Sequence, residues 1–91
     1  MSLSYTQHTL DKLEHLLNSM GYKLRYEKGN FKTGACILES SKVVVVNKFS
    51  NTESRIHSLA GLVQQLSVDE SMLDDKQKAF LYVLKQTSLQ L

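Results

Sequence analysis

The sequence predicts an α+β domain in the order α-β-β-β-α-α, a three-stranded antiparallel meander with helices packed on one of its faces. Three observations predict it. Leu10, Leu13, Leu16, Leu17 and Met20 recur at helical spacing near the start of the chain. Tyr22 to Glu27 then alternates apolar and polar residues, the signature of a half-buried strand. Lys42-Val43-Val44-Val45-Val46-Asn47-Lys48 places four β-branched residues in a row, which favours a strand covered on both sides.

The elements follow in order. The leucine periodicity predicts a helix over 4–20, and Gly21 stands where a helix commonly closes with a left-handed residue. A strand over 22–28 turns Tyr22, Leu24 and Tyr26 one way and Lys23, Arg25 and Glu27 the other. Gly29-Asn30 is a turn signal, and a second strand is expected over 31–39, interrupted by Gly34. Ser40-Ser41 turns the chain into the valine strand, 42–48. Connections this short imply antiparallel neighbours, since a parallel crossover needs about a dozen residues. Ser50 and Glu53 have the spacing of a capping box, opening a helix over 52–67 whose apolar face is Ile56, Leu59, Ala60, Val63 and Leu66. Asp74-Asp75-Lys76-Gln77 opens a last helix, 75–87, in which Ala79 to Leu84 is apolar nearly all round.

A chain of 91 residues forms one domain, residues 1–91, with room for one core. It is 42% hydrophobic and 22% charged, the composition of an ordinary globular domain. A net charge of +2 does not by itself imply a nucleic-acid partner. The single cysteine, Cys36, excludes an internal disulfide and a cysteine-rich zinc site. No apolar run reaches the roughly 18 residues of a membrane span, and the N-terminus lacks the basic-then-apolar pattern of a signal peptide. The expected location is the cytoplasm, with no membrane contact.

Chemistry-bearing residues are sparse. His8, Asp11 and His15 lie within about 60° of one another on the first helix. Residues seven apart are separated by about 10 Å along the axis, too far for two rings to reach one zinc ion at about 2 Å, so a solvated face is expected. His57 opens the helix after the valine strand, a layout used by zinc peptidases. That chemistry requires a neighbouring Glu and a second His four residues on, and Ser58 and Gly61 stand there instead. Cys36 would be a nucleophile only if the fold brought a base such as His57 to it. Gly29 to Gly34 has two glycines five apart but enters a strand rather than a helix, unlike a phosphate-binding loop. No catalytic, cofactor-binding or metal residue is assigned, and no cofactor is expected.

Gly29-Asn30-Phe31-Lys32-Thr33-Gly34-Ala35-Cys36-Ile37-Leu38-Glu39, followed by Lys42-Val43-Val44-Val45-Val46-Asn47-Lys48-Phe49, resembles a family of small bacterial proteins of unknown function, over roughly residues 21–66. The resemblance implies a bacterial cytoplasmic origin and carries no functional residue onto this sequence.

Three functions are open to this sequence, and the last of them, a degenerate metallopeptidase-like or cysteine-dependent enzyme that would need Cys36 and His57 to meet, is the least favoured. The first is a non-enzymatic protein-interaction or structural module acting as a homodimer, or bound to another protein, with Val43, Val44, Val45, Val46, Phe31 and Phe80 at the interface. Covering one valine side chain contributes about 1.5–2 kcal/mol, so a strand of four invites a second cover. The second is a nucleic-acid-binding module using Lys23, Arg25 and Lys32, in a stretch from Lys23 to Lys48 that holds six basic residues against Glu27 and Glu39. The alternation of Tyr22 and Tyr26 with those charges sets rings and cations on opposite faces, which works against base stacking.

Overall fold

The structure, a computed structural model, describes residues 3–28 and 35–86, with backbone alone at 35–37 and 39. Helix α1 (Gln7–Ser19) is followed by β1 (Lys23–Glu27), β2 (Ala35–Leu38), a 3-10 turn (Glu39–Ser41), β3 (Val43–Asn47), α2 (Thr52–Gln65), a second 3-10 turn (Glu70–Met72) and α3 (Asp75–Gln86).

The antiparallel meander is corrected. The strand order is β1-β3-β2, with β1 parallel to β3 and β2 antiparallel to it. The valine strand is therefore central. The rule against short parallel crossovers holds, but it applies to the link between β1 and β3. That link is the whole of residues 28–42, long enough to reach back across the sheet and to carry β2 on the way. Sequential strands need not be neighbours, and the four valines outcompete Ala35–Leu38 for the central position.

Local chemistry fixes the ends of the helices. Thr6 caps α1, its hydroxyl accepting the Thr9 N–H at 3.3 Å. At the other end Gly21 takes φ 95°, the Gly21 N–H donates to the Asn18 carbonyl and the Tyr22 N–H to the Leu17 carbonyl, both at 3.0 Å. Those two bonds form a Schellman closure, with Leu17 and Tyr22 both buried beneath it. The cap of α2 is Asn51, whose Oδ1 accepts the Ser54 N–H at 2.8 Å. Ser50, the residue expected to cap, instead donates to the Asn47 carbonyl at 2.6 Å and accepts from Arg55 Nε at 3.3 Å. The reciprocal box appears on α3: the Gln77 N–H donates to Asp74 Oδ1 at 2.8 Å and the Asp74 N–H to Gln77 Oε1 at 3.1 Å.

The helices lie against one face of the sheet. Leu10, Leu13, Leu16 and Leu17 of α1, Ile56, Leu59, Ala60 and Val63 of α2, and Leu81 and Leu84 of α3 close over Val44 and Val46. Each large side chain so buried contributes about 1.5–3 kcal/mol before conformational entropy is charged against it. Helix α3 is one-sided rather than apolar all round: Leu81 and Leu84 are buried, Phe80 and Val83 half-buried, and Tyr82 is 66% exposed. Its C-terminal turn is tied to that of α2. Gln64 Nε2 donates to the Leu84 carbonyl at 2.6 Å, and Lys85 Nζ donates to the carbonyls of Gln64 and Leu66 at 3.0 and 3.2 Å, a cation placed at the negative end of a helix.

Candidate interface

The sheet face turned from the helices is set by register. Arg25 pairs with Val45 and Lys23 with Val43 across β1 and β3; Leu38 pairs with Val43 across β2 and β3. In-register neighbours share a face, so Val43, Val45, Leu38, Lys23, Arg25 and Glu27 stand together. Val45 is only 6% exposed, while Val43 is half-buried and Leu38 47% exposed. Arg25 and Glu27, two apart on β1, form an ion pair on this face. Such a pair holds the guanidinium in place and contributes little energy in water.

The four valines thus divide. Val44 and Val46 are fully buried against the helices, and Val43 and Val45 belong to the other face. Phe80 is half-buried on α3 with the Lys12 ammonium 4.3 Å from its ring centre, a cation–π contact. Phe31 and Lys32 lie outside the described residues. Of the basic face, Lys23 and Arg25 are exposed on β1. The tyrosines are engaged on the opposite side: Tyr22 is buried, with the Lys42 ammonium 4.9 Å from its ring, and the Arg55 guanidinium lies 4.9 Å from the Tyr26 ring. Neither ring shares a face with Lys23 and Arg25.

His8 and His15 are exposed on α1 and line a groove of about 760 Å³ between α1 and α3, with Lys12, Lys76, Phe80 and Val83. Asp11 accepts a hydrogen bond from Gln7 Nε2 at 2.9 Å. Among the described residues no three of His, Cys, Asp and Glu converge in a way that could hold a metal ion. His57 is half-buried on α2; the Cys36 backbone pairs with Val45, and its side chain lies outside the described residues. Among the described residues two carboxyls depart from their ordinary range. Burial raises Glu14, with Asp11 adding to the effect and Arg55 opposing it. Hydrogen bonds from the Ser71 side chain and backbone lower Asp69.

Comparison with protein-family models, curated proteins and solved structures gives no match to this chain. Among the described residues no helix is long and apolar enough to cross a membrane.

The features that sequence patterning missed belong to the backbone. A parallel pairing of β1 with β3 leaves β1 as an outer strand, so one side of its backbone faces away from the sheet. The alternation of Tyr22 to Glu27 locates the faces of β1 but carries no information about its edge.

Proposed function

We propose that this chain is a small, non-enzymatic protein-interaction module that acts as a homodimer, of bacterial origin. The observation that carries the proposal is the one-sided architecture. Helices α1, α2 and α3 fill the layer on one face of the sheet, and the other face keeps Val43 half-buried and Leu38 exposed, beside an outer strand, β1. Among the described residues no further element covers that side and β1 is paired on one edge alone, and such a sheet is a template for further pairing unless something covers or blunts it. The charges on that side, Lys23, Arg25 and Glu27, are too nearly balanced to commit it to a polyanion.

The test is the solution mass by size-exclusion chromatography with light scattering at micromolar concentration. A mass about twice the 10.3 kDa of one chain is expected. A single-chain mass that persists on concentration overturns the proposal.

A further inference from the structure

We infer that two copies join through the free edges of β1, antiparallel, about a two-fold axis at Arg25. The inference rests on the homodimer reading and specifies how the copies meet. The Lys23 N–H donates to the Lys42 carbonyl, and the Glu27 carbonyl accepts the Lys48 N–H, both at 2.9 Å. Backbone direction alternates along a strand, so Lys23, Arg25 and Glu27 aim their N–H and C=O at β3, and Leu24 and Tyr26 aim theirs outward. Among the described residues β1 pairs with β3 alone. Four outward groups therefore stand in a row on a five-residue strand, two donors and two acceptors.

An identical strand related by a two-fold axis must run antiparallel. Centred on Arg25, the register sets Leu24 opposite the second copy's Tyr26 as a hydrogen-bonded pair, twice, and uses all four groups. It also sets Lys23 opposite the second copy's Glu27 at each end. The two Arg25 residues meet on the axis, each already paired with Glu27 of its own strand. A register centred on Leu24 would oppose Lys23 to the second copy's Arg25 twice, against the single Arg25 contact here, which like-charge repulsion disfavours. One centred on Tyr26 would oppose Arg25 to Glu27 twice, but within β1 it would use the outward groups of Tyr26 alone and set Leu24 opposite Lys28, beyond the strand. On the helix side, Tyr26 remains 38% exposed despite Arg55 over its ring, and the half-buried Leu24 of the second copy would cover it.

The open face is the poorer alternative. Val45 is already 6% exposed in a single chain, so among the described residues stacking a second sheet there gains little beyond Val43 and Leu38. It would also take Lys23, Arg25 and Glu27 out of water, a cost that edge pairing avoids.

The inference is tested on the full chain by cross-linking and by dimer dissociation measured in the ultracentrifuge. With Cys36→Ser as background, Arg25→Cys places two thiols directly opposite, with Cα atoms about 4.5 Å apart in a non-hydrogen-bonded pair, within disulfide reach. Mild oxidation should double its mass on a non-reducing gel. Lys23→Cys, whose two copies sit four residues out of step and so about 13 Å apart, should not link. Tyr26→Pro deletes an outward N–H and leaves the β3 ladder intact; with its circular dichroism unchanged, it should weaken the dimer about tenfold or more. Lys23→Glu and Glu27→Lys should each weaken it, and the double variant should restore it. A dimeric wild type in which Arg25→Cys fails to link and Tyr26→Pro stays dimeric overturns the β1 edge while leaving the homodimer standing. A monomeric wild type overturns both.

Discussion

At the scale of single residues, Gly21 is where backbone geometry leaves the least choice. Its φ of 95° lies in the region that L side chains rarely adopt, and it closes α1 so that Tyr22 can enter the core. A methyl group built on Gly21 meets no atom within 4 Å, so the cost of adding one is conformational rather than steric. The left-handed penalty is about 1–2 kcal/mol, offset in part by the reduced freedom of the unfolded chain. Gly21→Ala should therefore lower the unfolding free energy by about 1 kcal/mol in urea titration, with the fold unchanged by circular dichroism. A neutral substitution would mean that the Schellman closure is not what positions Tyr22. The glycine was legible because it follows the last leucine of the period. Lys42, at φ 54°, was not: a lysine gives no hint of a left-handed turn, and what places it there is the demand that the chain leave a 3-10 turn and enter β3.

At the scale of elements, periodicity located helices and strands along the chain because it reflects a local condition, which residues must point inward. Pairing is a competition among strands and has no local signature. Tyr22 to Glu27 could flank either neighbour, and only the preference for burying Val43 to Val46 decides that β3 takes the middle. The same run was expected to need a cover on each side. The helices cover Val44 and Val46; Val45 lies between the register neighbours Arg25 and Cys36 on the other face and is nearly buried without a second layer. The division of labour predicts opposite responses from adjacent residues. Val44→Asp buries an unpaired carboxylate at a fully enclosed site and should cost at least about 4 kcal/mol, most of the stability of a small domain. Val43→Asp, half-buried on the open face, should cost about 1 kcal/mol or less. Thermal unfolding of the two variants side by side checks the assignment, and a Val43 variant as damaged as the Val44 one would place both valines in the core.

At the scale of the whole molecule, the decisive quantity is how much stability one copy can supply. A chain of 91 residues buries only about two-thirds of its unfolded surface, and it does so with helices on one face of the sheet and an outer strand, β1, that among the described residues pairs on one side alone. A second copy on β1 would add hydrogen bonds to the outward groups of Leu24 and Tyr26, and would couple folding to association. Mass action then makes the melting temperature depend on concentration: a hundredfold increase in a saturating partner is worth about 2.7 kcal/mol, shared between two chains in a homodimer. Since about 1 kcal/mol moves the midpoint of a domain this size by about 4–8 °C, heating the protein over a hundredfold range of concentration should raise the midpoint by several degrees. Tyr26→Pro, which blocks the edge without touching the core, should flatten that dependence. A wild-type midpoint that does not move would mean that the one-sided fold is stable alone and that β1 is blunted by its charges rather than completed by a second copy.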